Sequence, residues 1–295
     1  MNKMKITGIG EILWDLFPDK KLPGGAPANV IYNTTLLGAD SCLVSRVGDD
    51  PDGIELVEYL QEKGIKTGYI QVDKIHKTGV VDVSFDDNND PRYNIVKPAA
   101  WDFLEKSESI RLLAAESDAI AFGTLAQRSP VSADTIQWFL KVAGEKCLKV
   151  LDVNFRPPYV MEDVVRRSLE LADIVKINHE ERDALMKMLN TSNPEDVLLN
   201  EFNVRGICLT KGMKGSEWIE KDYRIDQSVY KAVDKEGDSV GLGDGFTAVL
   251  TVELTKHGDA KKAMDRASRY TALLAGKRGG MPEMKQEDIN KIYND

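Results

Sequence analysis

The chain has 295 residues, 42% of them apolar and 29% charged, with a formal net charge of −9. That length allows one large domain or two modest ones, and the apolar share suffices for a packed core. The acidic balance argues against a nucleic-acid or anionic-membrane surface as the main partner, because both reward clustered Lys and Arg.

Residues 1–5 run straight into the apolar stretch at Ile6, with no leader-like apolar region and no membrane-length run. This predicts a soluble, cytoplasmic protein. The short apolar runs 6–12, 41–47, 119–123, 148–153, 174–177 and 206–210 read as buried strands. Residues 27–37, 52–63, 110–115, 133–143, 161–171 and 180–189 read as helices between them. Pro27 at a helix start and Gly38 past its end fit the usual asymmetry of helix termini. The alternation implies a mainly parallel sheet covered on both faces, with ligands at the carboxyl ends of its strands. Residues 69–72 and 79–85 break the alternation and read as an antiparallel hairpin. A strong turn signal at 86–91 and a third run at 92–96 complete a small β flap over the main sheet. Cys42, Cys147 and Cys208 lie in separate apolar stretches and read as small buried hydrophobes. The three scattered histidines, His76, His179 and His257, argue against a histidine-based zinc site.

No Walker A sequence, kinase-type Gly-rich loop or dinucleotide fingerprint is present. Another anion-binding device stands at Gly241-Leu242-Gly243-Asp244, at the start of a helix-like run through Leu254. Free backbone N–H groups and the positive dipole end at a helix start attract anions. A carboxylate in the same turn makes sense if the site also needs a base. Anion site plus base suggests phosphoryl transfer to a hydroxyl group; the bland alternative for Asp244 is a helix cap.

The stretch Asp238-Ser239-Val240-Gly241-Leu242-Gly243-Asp244-Gly245-Phe246 resembles the C-terminal signature of the PfkB (ribokinase-like) family of sugar and nucleoside kinases. The family's glycine-rich N-terminal signature is matched by Gly24-Gly25-Ala26-Pro27-Ala28-Asn29-Val30. Val47-Gly48-Asp49-Asp50, Asn154-Phe155-Arg156, Lys176-Ile177-Asn178-His179-Glu180-Glu181 and Leu209-Thr210-Lys211-Gly212 follow the family in the same order, so the resemblance spans the chain. It implies one three-layer α/β/α domain over residues 1–295, with a mainly parallel central sheet and a small β-sheet lid from about 12–23 and 69–101.

By the same resemblance Asp244 is the catalytic base, and the N–H groups of Gly241, Leu242, Gly243 and Asp244 stabilise the transferring phosphoryl group, which Arg156 pairs. Leu242 departs from the usual alanine, and the loop just before Asp238 is atypical. Lys176, Asn178, Thr210, Lys211, Gly212, Gly215 and Gly279 would line the ATP side. Asn178 and Glu181 would organise Mg²⁺, with Glu181 acting through water, and Asp238 would help hold a monovalent cation such as K⁺.

Gly10-Glu11-Ile12-Leu13-Trp14-Asp15 and Asn154-Phe155-Arg156-Pro157-Pro158 resemble fructokinase-type members. The implied acceptor is free fructose, bound by Asp15, Gly24, Gly25, Asn29 and Asn154, with Arg92 as a further contact and Trp14 either walling the pocket or sitting in the core. Ribose, 2-keto-3-deoxygluconate or a nucleoside remain alternative acceptors, and a non-catalytic sugar or nucleotide sensor is the alternative outside catalysis. The family's lid also implies a homodimer interface.

Overall fold

A computed structural model of the chain describes residues 3–85, 91–232, 237 and 239–293, with the backbone alone at 85, 91 and 92. The expected turn at 86–90 lies outside the described residues. Nine strands form the main sheet: β1 (Lys5–Ile9), β4 (Asp40–Gly48), β5 (Ile70–Asp73), β8 (Ala119–Gly123), β9 (Leu148–Asp152), β10 (Ile174–Asn178), β11 (Gly206–Thr210), β12 (Ser216–Ile219) and β13 (Arg224–Gln227). Their order is β13-β12-β11-β10-β9-β8-β1-β4-β5, parallel throughout except for β12 and β13. Four further strands, β2 (Leu13–Leu16), β3 (Lys21–Gly24), β6 (Gly79–Phe85) and β7 (Pro91–Ile95), make a separate small sheet in the order β3-β2-β6-β7.

Covering helices bury both faces of the main sheet, which is why its central strands are apolar at successive positions. Ile120 and Phe122 of β8 face a layer containing α3 (Glu108–Glu116), α4 (Pro130–Val142), α5 (Glu162–Leu171), α6 (His179–Met188) and α7 (Pro194–Asn200). Leu43 of β4, Val150 of β9 and Cys208 of β11 face the opposite layer. That layer contains α1 (Ala26–Leu36), α2 (Pro51–Glu62), α8 (Leu242–His257), α9 (Ala260–Leu274) and α10 (Gln286–Lys291). All three cysteines are free and buried, and burial pushes the thiols of Cys147 and Cys208 up to about 12.

Two local departures from the sequence expectation position the site. The run expected as one strand over 6–12 divides: β1 ends at Ile9, Gly10 takes φ 150°, and three residues later the chain enters the small sheet as β2. Residues 69–72 do not pair with 79–85 as a hairpin. Residues 70–72 fall within β5 and extend the main sheet at the edge of β4, Ser45 opposite Ile70. The free edge of β4 supplies a full ladder there, whereas β6 takes its partners from β2 and β7.

Helix α8 is buried along most of its length and lies between α1 and α9. Inside this packing, Glu253 of α8 meets Arg266 of α9 at 2.6 Å, with their side chains 1% and 12% exposed. Removing one partner of a buried pair leaves the other charge uncompensated. We therefore expect Glu253→Ala to lower unfolding free energy by about 3–5 kcal/mol in urea titrations. The double replacement Glu253→Leu with Arg266→Met should recover most of that loss.

Candidate active site

The first turn of α8 opens at the carboxyl ends of β9 and β10. Its cap, Gly241, is left-handed at φ 75°, and a Cβ there would come within 2.6 Å of Gly280 Cα. Leu242 N–H reaches Ser239 O at 3.5 Å and Gly245 N–H bonds Gly241 O at 2.8 Å. The N–H groups of Gly243 and Asp244 have no protein acceptor among the described residues. They form the open positive end of a long helix. The half-buried Leu242 side chain packs against the hydrophobic layer that includes α1 and α9.

Lys176, the third residue of β10, lies beneath this turn. Its Nζ is 3.1 Å from where a Cβ on Gly243 would stand. It donates to Asp152 Oδ2 at 2.7 Å, and the same oxygen accepts Thr247 Oγ1 at 2.8 Å. Burial alone would pull the ammonium pKa down, but the carboxylates of Asp152, Glu181 and Asp244 outweigh it and hold the pKa above its ordinary value. A buried, fully charged lysine therefore stands under an anion-binding helix start.

Asp244 points from α8 toward α1, where Asn29 Nδ2 donates to its Oδ2 at 2.7 Å. Burial, with the Asp152 charge, pushes this carboxyl up to about 6, against the pull of Asn29, Lys176 and Arg156. Asn29 Oδ1 is buried without a partner, and the loop at Gly280 packs so closely on this amide that a Cβ would be 2.5 Å from it. Asp15 on β2 lies over Gly24 of β3: a Cβ on Gly24 would be 2.5 Å from Asp15 Oδ2. Burial raises Asp15 to about 6, with Arg156 opposing. Gly25 caps α1 at φ 106°, close enough to Glu11 O to exclude a side chain. The Glu11 carboxyl accepts Ala26 N–H at 3.3 Å, keeps Oε2 buried and unpaired, and is raised by burial to about 7. Arg156, exposed beside Asn154 at φ 44°, acts electrostatically on Glu11, Asp15 and Asp244 together. The guanidinium, which donates to Phe155 O at 3.2 Å, thus acts on three carboxyls of the cleft at a distance.

Asn178 and Glu181 form a reciprocal capping box at the start of α6: Asn178 Oδ1 accepts Glu181 N–H at 2.9 Å and Glu181 Oε2 accepts Asn178 N–H at 2.8 Å. Glu181 Oε1 also accepts Phe155 N–H at 3.1 Å, joining this corner to the Arg156 loop. Thr210 pairs with Asn178 across the β10–β11 ladder, and the turn through Gly212 and Gly215 follows it. Lys211 is engaged sideways by Glu217 at 2.8 Å. Gly279, at φ 79°, comes near Leu22 of β3.

Three residues from the sequence reading stand apart. Trp14 is 3% exposed and packs away from Asp15, donating from Nε1 to Asp52 O at 3.0 Å and meeting Tyr59 edge-on. Successive strand residues face opposite ways, so Asp15 in the cleft places Trp14 in the core. The Arg92 side chain and Asp238 lie outside the described residues. The sequence reading missed Asp152, although a lone carboxylate ending an apolar strand was a usable signal. Two surface depressions of about 340 and 310 Å³ share Leu199, Glu220, Lys221 and Asp222 at the far edge of the sheet and do not include this cleft.

Residues 18–287 match the model of the pfkB family carbohydrate kinases. A fructokinase from Escherichia coli is 29% identical, with 94% of this chain and 95% of that protein aligned. The crystal structure of an uncharacterized sugar kinase from Pyrococcus horikoshii is 27% identical with a TM-score of 0.84, covering 97% of each chain. The structure of that kinase in complex with ATP gives 26%, 0.79 and the same coverage. The chain belongs to the pfkB family of carbohydrate kinases and is a phosphotransferase acting on a sugar hydroxyl.

Proposed function

We propose that the chain transfers the γ-phosphoryl group of ATP to the primary hydroxyl of free fructose, giving fructose 6-phosphate and ADP. The observation that carries this reading is the Asp244 carboxylate, held by Asn29 beside the open amides of Gly243 and the base itself. In the reaction the sugar O–H gives its proton to Asp244 as its oxygen attacks the γ-phosphorus. The bond from that phosphorus to the β–γ bridging oxygen breaks, and ADP leaves. The α8 amides and Lys176 meet the charge on the transferred group, and Arg156 reaches it from the cleft mouth. Asp244 later loses its proton to solvent.

Mg²⁺ would neutralise the nucleotide phosphates. Both oxygens of Glu181 already accept backbone N–H groups, so Glu181 and Asn178 would hold the ion through water, which suits an ion that keeps several waters. Asp15, facing Gly24, and Asn29, with its unpaired Oδ1, suit vicinal hydroxyls; a site with such buried polar groups disfavours ligands that leave them unmatched. The fructokinase relative supports fructose as the acceptor. Leu242, the main departure from the family pattern, is half-buried and packs against the apolar layer of α8 and α9. That placement favours an active kinase over a non-catalytic sensor.

Asp244→Asn should reduce kcat by about 10²–10⁴-fold in a coupled ADP-release assay. A folded-state carboxyl raised to about 6 holds its proton more tightly than the unfolded chain does, so above that pH its charge costs stability. The Asn variant should therefore melt at or above the wild-type temperature at pH 7.5, separating lost chemistry from lost folding. Wild-type kcat/KM should fall as pH drops through about 6, where the base is protonated. A panel of hexoses, pentoses, sugar acids and nucleosides, read by ADP release, should give its highest kcat/KM with fructose; a higher value for ribose or 2-keto-3-deoxygluconate would reassign the acceptor.

A further inference from the structure

A buried arginine outside the proposed chemistry joins the small sheet to the loop that bears Arg156. Arg128, in the turn before α4, has a side chain 1% exposed. It grips Asp102 with two bonds, Nε to Oδ1 at 2.8 Å and Nη2 to Oδ2 at 2.9 Å. Its Nη2 also donates to Val96 O at 2.7 Å, just past the end of β7. The guanidinium lies between two rings, 3.9 Å from the centroid of Trp101 and 4.7 Å from that of Tyr159. Tyr159 in turn donates its hydroxyl to Ile95 O at 3.1 Å, and its N–H closes a turn onto Arg156 O at 2.8 Å. The fully buried Trp101 lies against Gly79, the first residue of β6.

A buried ion pair of this kind contributes little net stability compared with apolar packing. Its distinctive property is geometric: the planar fork and its contacts with two ring faces fix one arrangement of three segments. Those segments are the exit of the small sheet at Ile95 and Val96, the start of β6, and the turn 156–159. Arg156 acts electrostatically on Glu11, Asp15 and Asp244 from that turn, while Asp15 is presented by the small sheet. We propose that Arg128, acting through Tyr159, is a positioning residue that sets the small sheet and the Arg156 loop in register, so that the acceptor meets Asp15 and Arg156 as one preformed pair. The proposal rests on the sugar-kinase reading of the cleft for its kinetic consequence, but not for its structural one.

The test uses the full chain with Tyr159→Phe, which removes one hydroxyl and keeps the ring, and Arg128→Lys, which keeps the charge and loses the fork. Tyr159→Phe should raise KM for the sugar about fivefold, the worth of one hydrogen bond, with KM for ATP within about twofold of wild type. Arg128→Lys should do the same more strongly. In hydrogen exchange without ligands, both variants should speed amide exchange at 93–96 and at 154–156 together. A lower melting temperature with both KM values unchanged would overturn the proposal, as would faster exchange confined to 93–96. If wild type turns over no sugar, the functional reading fails, and coupled exchange of the two segments still decides the structural claim.

Discussion

The site depends on a helix start held open above a buried lysine. Orphan N–H groups at a buried helix end are costly unless something satisfies them. Here the first turn of α8 leaves the Gly243 and Asp244 amides without an acceptor among the described residues. Lys176 lies beneath them, tied by Asp152, and Thr247 on the next turn of α8 ties the helix to that same carboxylate. The strand ends and the helix are thus pinned through one oxygen. The arrangement stores an unmet demand for negative charge at one point, the condition that electrostatic preorganisation requires. A cap that bonded those amides would make α8 more stable and leave nothing for a phosphoryl group.

The same constraint explains the carboxyls. Asp244, Asp15 and Glu11 are each raised by burial, and Arg156 partly opposes the rise in all three. Asp244 near 6 remains largely ionised at neutral pH, yet is a stronger base than an exposed aspartate. Asn29 donates to it and lowers that basicity, but also fixes which oxygen faces the cleft. Orientation and basicity are set against each other in one contact.

Much of this was legible before any coordinates. The glycines at 241 and 243 with Asp244 announced a helix start with an anion site, because few other uses require glycine, glycine and a carboxylate in one turn. The alternation of apolar runs and helical segments gave the layered sheet. Other features were hidden for physical reasons. The run 6–12 is apolar on both sides of its break and its one charge, Glu11, falls after it, so the division shows only in the backbone angle at Gly10. Which edge residues 70–73 would join depended on a free ladder on β4, a property of the assembled sheet. Trp14 carried no sign of its side, since one residue of register decides between cleft and core. Arg128 and Asp102 lie 26 residues apart, and no local pattern pairs them.

The route of the chain near Gly10 links recognition to chemistry. Glu11 stays at the end of the main sheet, while Asp15, four residues on, rides on the small one. The next strand of the small sheet, β3, ends at Gly24, and α1 begins two residues later at Ala26. Asn29, one turn into that helix, holds Asp244. A displacement of the small sheet that moves Asp15 therefore also loads the N-terminus of α1, and with it the amide that orients the base. Water filling the cleft would engage neither Asp15 nor Asn29 in the paired manner of a polyol. On the proposed reading, an acceptor with several hydroxyls would satisfy both at once, at groups the fold already holds in register. Discrimination against water would then follow from the connectivity of β2, β3 and α1, without a separate gate.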